Sequence, residues 1–582
     1  MCGLCRARAP VSASRFPKTE QQMLCHPLRF RRRCRVRTKA LALFLLLALS
    51  GCSALPTSGP VLVAGPQNVT DDDSVQYLPA GPAEGATQRE ILDGFLAAGA
   101  AAQENYRISR SFLTDQFANE WDPTSETLVR GTSIDYVSTS AESLSVTTPI
   151  LARIARGGVY TDEKLGATQR FDFEFTEVGG EWRISGAPDA VLMGRSTFES
   201  AFQPYSVFFY NSDRSKLIPE IRYFPRQGDP ATRVARAVIA GPSIYLPHAS
   251  TAFPAGSALV ASPIDVVDGR ALVDVTGDVL EASADDQRAM LVEMTASLTA
   301  LPSITSVDLT VDRTLLPISI FGSSAMLDEP IVNDNPAIVS GGVFGFVSGS
   351  QVDPVAPLGN RILELAPLSI SFDGSVFAAV GTASGVYRVG AQTALVANQR
   401  SVTEPQIDDA GGVWWVRQSS PSAITVWNSG NSQTISGPWN STAQIVALEV
   451  SREGSRVAIA LNSSSGPALY VASVDRDAAG AVRAIAGFHE LPIGGNSVID
   501  IAWADSVSVA VITENIALSY VELASVGGIT EVLGTVDAPI AISGGNGSSQ
   551  LVVLSSSGQL FVPRSGGWQT LGVTAELLAT QR

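Results

Sequence analysis

Hydrophobic and polar positions change period repeatedly along this chain, and each change marks a different kind of element. From residue 87 the apolar residues Ile91, Leu92, Phe95 and Leu96 recur at helical spacing behind Thr87-x-x-Glu90, a capping box that predicts a helix. A second helix is expected over residues 106–117, with Phe112 and Phe117 turned inward. Beyond Trp121 the period shortens. Phe171-Asp-Phe173-Glu-Phe175 alternates strictly, and Gly179-Gly180 folds it back into Trp182-Arg-Ile184 as a hairpin. Residues 87–195 therefore read as helices followed by a curved antiparallel sheet.

Residues 203–315 form a second unit with clear punctuation. Strands are expected at 207–210 and 217–224. Asp229-Pro230 starts a helix, Val234 and Val238 repeat at i, i+4, and Gly241-Pro242 stops it. The Asp268-Gly269 turn joins a hairpin at 264–275. A helix from Ser283 places Leu291, Met294, Leu298 and Leu301 on one face, which reads as core, and Val307, Leu309 and Val311 alternate in a closing strand. Helices followed by a curved sheet resemble the NTF2-like cone, a fold that can enclose a pocket but often serves as a packing and contact module. The order of elements in 203–315 resembles the GerMN domain of sporulation and germination proteins.

Residues 330–582 change texture, with short strands and hardly any helical periodicity. A strand, a turn near Ser-x-Asp-Gly and a strongly apolar strand repeat. Asp373-Gly374 precedes Val376–Val380, and Glu453-Gly454 precedes Val457–Leu461. Degenerate copies lie at Asp409-Ala-Gly411-Gly412, Asp505 and Gly545-Asn546-Gly547. A spacing of roughly 40 to 50 residues is the blade period of a β-propeller. Five blades are visible and six are expected, the sixth from residues 341–352 completed by the strand around Leu560-Phe561. A pair of β-sandwiches is the alternative. The fold class is thus multidomain: an NTF2-like α+β cone, a GerMN-like α/β domain and an all-β propeller.

The apolar run at 41–52 behaves differently from all of these. It follows Arg31, Arg32, Arg33, Arg35, Arg37 and Lys39, and at about a dozen residues it falls short of the roughly 20 that span a bilayer. It reads as the core of an export signal. Its exit, Leu49-Ser50-Gly51-Cys52, resembles a bacterial lipobox, in which the Cys52 thiol is acylated and becomes the new N-terminus. An ordinary signal peptide that happens to contain a cysteine is the plainer alternative. A leader of residues 1–51 is long, and a start at Met23 would leave 29 residues before Cys52. Residues 52–86, rich in Pro and Gly, read as an extended lipidated tether, and their Asp71-Asp72-Asp73 lacks the ligand spacing of a calcium loop.

Composition sharpens this reading. Cysteine occurs only at Cys2, Cys5, Cys25, Cys34 and Cys52, so a chain cut before Cys52 keeps one thiol and no disulfide. Removing residues 1–51, with 11 basic residues and one acid, from totals of 40 and 56 leaves 29 basic and 55 acidic residues, a net of −26. Such a body is repelled by nucleic acid and by an anionic bilayer surface. Four lysines against 36 arginines point to a GC-rich genome and fit an actinobacterium.

Chemistry-bearing constellations are scarce. His248 and His489 lie in different units, without zinc-site or triad context, and read as turn or surface residues. No G-x-S-x-G elbow or P-loop occurs, and no metal or cofactor is expected. Carboxylates are plentiful, and Asp274 and Asp278, which flank a hairpin end, are one example of a glycosidase-like pair, although such pairs are common at strand ends. Six tryptophans lie in the propeller, either as blade packing or as a glycan-stacking platform. Trp414 and Trp415 are adjacent on a strand and face opposite ways, so one of them is expected to be exposed as a partner or ligand surface.

Lipobox, tether, helix-then-sheet domain, GerMN-like unit and propeller, in that order, resemble the LpqB family of actinobacterial lipoproteins. The resemblance implies a protein anchored at Cys52 on the outer face of the cell membrane. It also implies an accessory to the MtrA–MtrB two-component system, touching the extracellular sensor domain of the histidine kinase MtrB and influencing cell-wall metabolism and division. A sensor of a cell-wall fragment or sugar is the alternative function, and an envelope hydrolase the third.

Overall fold

A computed structural model describes residues 79–582, except residues 165, 319–330, 375 and 566. Met23, the apolar run, Cys52 and residues 53–78 of the tether lie outside the described residues. The described residues from 79 onward form one compact unit. No helix among the described residues is long and apolar enough to cross a membrane.

The first domain begins with the helix Gln88–Ala98. Thr87 accepts from the Glu90 amide while the Glu90 carboxylate accepts from the Thr87 amide at 2.8 Å, so both arms of the capping box are made. Ile91, Leu92, Phe95 and Leu96 are buried. The expected helix over 106–117 is instead two short helices, Arg107–Arg110 and Asp115–Glu120. Backbone hydrogen bonds from Ile184 to Phe112 and from Thr114 to Ile184 tie the intervening segment to the sheet edge, and the Thr114 side chain caps the second helix. Pairing with the sheet outcompetes continuation of the helix. The seven-stranded sheet is built around Ser143–Ala155, and Phe171, Phe173 and Phe175 point into the core. It is mixed rather than antiparallel, because Val191–Gly194 lies parallel to Glu126–Arg130.

The second domain pairs Phe202–Tyr210 with Leu217–Pro225 in a two-stranded ribbon. Asp229 caps the helix Pro230–Ala240, which ends at Gly241 with φ +88°. A four-stranded sheet follows, in which Arg270–Asp274 and Ser306–Val311 run parallel on either side of the helix Ala284–Leu298 in sequence. Met290, Met294, Leu298 and Leu301 are buried and Leu291 is half-buried.

The third domain is the β-propeller, and its described strands form six sheets. Turn chemistry sets the strand pairs: Asp373 accepts from the amides of Val376 and Phe377 at 2.7 and 2.9 Å. In the next copy the capping side chain is Asp408, accepting from the Ala410 and Gly412 amides, whereas Asp409 turns away to an ion pair with Lys216. Ring closure also differs from expectation. The strand Gln559–Arg564 belongs to the sixth sheet, while Leu577–Leu578 pairs with Ala337–Ser340 of the first and Thr580–Gln581 runs parallel to Ser369–Phe372 of the second. The returning segment therefore clasps two sheets at once.

Candidate functional site

The turn after Ser143–Ala155 carries Arg156, Gly157 and Gly158 and docks the first domain on the second. Gly158 has φ +79°, and a Cβ there would lie 2.6 Å from Phe224 Cε1 and 3.0 Å from the Tyr223 carbonyl oxygen. Glycine is required for so close an approach. The Tyr223 amide donates to the Gly158 carbonyl at 2.7 Å, and Arg222 Nη1 donates to the Gly157 carbonyl at 3.0 Å. Arg222 is buried and paired with Glu220 at 2.8 Å.

Beside this contact opens a cleft of about 580 Å³, a volume typical of small-molecule sites. Tyr106 and Arg156 come from the first domain; Tyr223, Phe224, Arg233 and Arg236 come from the second. No Asp, Glu, His, Cys or Ser lines it. Arg233 and Arg236 stand i, i+3 on the helix Pro230–Ala240, whose Val234 and Val238 are buried in the domain core. Arg236 donates to Ser262 Oγ at 3.0 Å, and Arg156 pairs with Asp122. Arg233 is half-buried and has no hydrogen bond or ion pair among the described residues. Burial pushes the Tyr106 hydroxyl up to about 12, and the charge of Arg233 opposes that rise. The cleft has the groups to hold an anion, but no nucleophile–base pair.

The interior of the first domain is closely packed around Phe95. The void among Phe95, Leu128, Phe171 and Phe173 measures about 10 Å³, at or below the room one water needs. The cleft lies at the edge of this domain rather than within it.

A second cluster joins several propeller sheets to the C-terminal residues. Thr580 Oγ1 lies 3.1 Å from Glu404 Oε1 and 3.3 Å from Glu449 Oε1, and the Ile542 amide donates to Asp500 Oδ2 at 2.9 Å. Arg582 donates to Gln406 Oε1 and faces the carboxylates of Glu449, Asp408 and Glu404. Burial, reinforced by Asp500 and Glu449, raises the Glu404 carboxyl well above the usual range, and burial also raises Glu449. These groups satisfy one another incompletely, since Arg582 Nε has no hydrogen-bond partner among the described residues. Among the described residues no group of three or more His, Cys, Asp or Glu side chains is arranged to hold a metal ion.

Trp414 and Trp415 do not form a surface. They are 0% and 1% exposed. Their strand Val413–Val416 is buried on both faces between neighbouring sheets, so alternation directs each ring into a different core rather than one to solvent. Trp414 Nε1 donates to Asp408 at 2.8 Å and Trp415 Nε1 to Gln399 at 3.0 Å. Asp274 is likewise structural, accepting from Thr310 Oγ1 at 2.7 Å and the Arg313 amide at 2.9 Å, while Asp278 accepts from Thr276. His248 sits in a turn. His489 is not a surface residue: it is half-buried on Val482–Leu491, edge-on to Tyr245 of the second domain. Two features escaped sequence reasoning, the arginine cleft and Glu293. The Arg-x-x-Arg face opposite Val234 and Val238 was the available signal for the cleft. Glu293 is fully buried on the helix Ala284–Leu298, its Oε2 accepting from the Ala252 amide at 2.8 Å and from Thr251 Oγ1 at 3.1 Å, with Oε1 unpartnered.

A family model described as the N-terminal domain of lipoprotein LpqB matches residues 81–199, and one described as the lipoprotein LpqB beta-propeller domain matches residues 341–576. Between them, a model described as sporulation and spore germination matches residues 206–316. The chain belongs to the LpqB lipoprotein family. A family member from Cutibacterium acnes is 23% identical over 561 residues, spanning 90% of this chain and 92% of its own. Another, from Thermobifida fusca, is 29% identical over 287 residues, spanning 46% and 45%. The solved first GerMN domain of the sporulation protein GerM from Bacillus subtilis is 19% identical, covering 20% of this chain and 86% of that one with a TM-score of 0.18.

Proposed function

We propose that this LpqB-family chain is lipidated at Cys52, held on the extracytoplasmic face of the cell membrane, and binds the extracellular domain of a sensor histidine kinase to modulate a two-component system governing cell-wall and division functions. The observation that carries the reading is the mutual docking of the three domains, which makes one broad acidic body out of modules with no recognisable catalytic constellation among the described residues. Lys216 pairs with Asp409, the Arg476 amide donates to Ser212 Oγ at 3.1 Å, and Arg456 donates to the Pro219 carbonyl at 3.3 Å, all between the second domain and the propeller. A body of this kind on a tether gains effective concentration toward another membrane protein without needing tight intrinsic affinity. A sensor of a small ligand is the second reading, favoured by the arginine cleft.

The test is retention of the kinase's extracellular domain by the immobilised lipoprotein at micromolar concentration. Retention is expected. Absence of retention, together with binding of cell-wall fragments, would replace the kinase reading with the sensor reading.

A further inference from the structure

We propose that the cleft between the first and second domains is a binding site for a small anion, a carboxylate or phosphate carried on a flat apolar body. Charge is the first reason. Beyond residue 51 the chain carries a net of −26, yet three arginines and no acid line this cleft. Arg156 is already paired with Asp122, so Arg233 and Arg236 leave the cleft with cationic charge and no acid in its lining, which favours an anion.

Arg233 supplies the second reason. It is half-buried, and its guanidinium has no hydrogen bond or ion pair among the described residues, with no carboxylate in the cleft lining to meet it. A partly desolvated, unpaired guanidinium is costly, and a planar two-oxygen anion is the partner its fork fits best. The Tyr106 hydroxyl, on a buried residue that also lines the cleft, has no hydrogen-bond partner among the described residues and supplies a neutral donor. Arg236 adds a second cation three residues along the same helix.

The third reason is shape. Tyr223, Phe224 and Phe202 give the cleft an aromatic wall, and the volume of about 580 Å³ suits a molecule larger than a bare inorganic ion. A ligand seated there touches both domains beside the Gly157-Gly158 contact. The site stands whether or not a kinase domain is bound elsewhere.

The experiment is isothermal titration of the full-length lipoprotein in nonionic detergent with benzoate, phenyl phosphate and neutral benzamide. At least one anion is expected to bind with a Kd below about 1 mM at low salt. That binding should weaken when NaCl is raised to about 0.5 M, with benzamide about tenfold weaker or worse. Arg233→Gln should weaken binding about tenfold. Ala240→Glu, which places a carboxylate at an exposed position on the cleft lining, should do the same, while Arg564→Gln on the propeller should leave it unchanged. Binding of benzoate alone assigns the carboxylate class, and binding of phenyl phosphate alone assigns the phosphate class. Failure of both anions at about 10 mM would overturn the proposal. So would wild-type affinity in both cleft variants.

Discussion

The hydroxyl of Tyr245 donates to the backbone carbonyl of Tyr160 at 2.7 Å, across the boundary between the second and first domains. The same ring stands edge-on to His489 of the propeller, 4.3 Å between centroids. One buried side chain thus touches all three domains. Tyr245→Phe should cost about 1 kcal/mol, the value of the lost hydrogen bond. Tyr245→Ala should cost about 3–5 kcal/mol and leave a void at the junction. Calorimetry is the check: the alanine variant should separate a low-temperature transition from the main one, whereas an unchanged profile would mean that the domains hold together without this ring.

Gly158 predicts a backbone counterpart. Gly158→Ala must adopt φ +79° and push against Phe224, so a loss of about 1–3 kcal/mol is expected, measured by denaturant titration.

The tryptophans predict stability effects where a surface role would predict binding effects. Trp414→Ala and Trp415→Ala each remove a fully buried ring and one donor, from Asp408, which keeps Arg476 and two amides, or from the half-buried Gln399. Each should cost about 3–5 kcal/mol. A variant at either position with wild-type denaturation and altered ligand binding would restore the surface reading.

How much of this was legible in the sequence depended on range. The Thr87–Glu90 capping box, the Asp229-Pro230 helix start and the Asp268-Gly269 turn are local, and each formed where the residues called for it. The helix over 106–117 failed because Ile184, some 70 positions away, competes for the backbone of residues 112–114. The expected exposure of either Trp414 or Trp415 fails because alternation separates the two faces of a strand but cannot say whether another sheet covers both. The cleft was hidden because Arg233 and Arg236 read as an ordinary solvated helix face until the Gly157-Gly158 turn of another domain closes over them.

Asp500 and Glu293 predict a pH dependence. Burial lifts the Asp500 carboxyl to about 7, against the pull of the Ile542 amide and with help from Glu449, and burial lifts Glu293 to about 8. Unfolded, each loses its proton near its ordinary value of 3.8 or 4.5. Between those values and about 7 or 8 the folded chain holds more protons, so stability falls as pH rises through the window. Asp500→Asn and Glu293→Gln keep an acceptor oxygen and cannot ionise. Relative to wild type, each should gain thermal stability at pH 8 over pH 5. An equal offset at both pH values would show that the carboxyl does not titrate there.

Cys52→Ser should leave the precursor uncleaved or release the protein into the medium, scored by fractionation and by N-terminal sequencing. Normal processing with full membrane retention would remove the lipid anchor.

The clasp made by Leu577–Leu578 and Thr580–Gln581 has a consequence for how the protein comes into being. A chain is synthesised N-terminus first, and the residues that join the first two sheets are made after the other described strands of the ring. Until they arrive, the strands Ala337–Ser340 and Ser369–Phe372 each lack a neighbour and present an open edge. The interval between synthesis of residue 372 and residue 581 is therefore a window of exposure. A fusion or cut close to residue 577 would extend that window indefinitely, and the yield of folded protein would be the first thing lost.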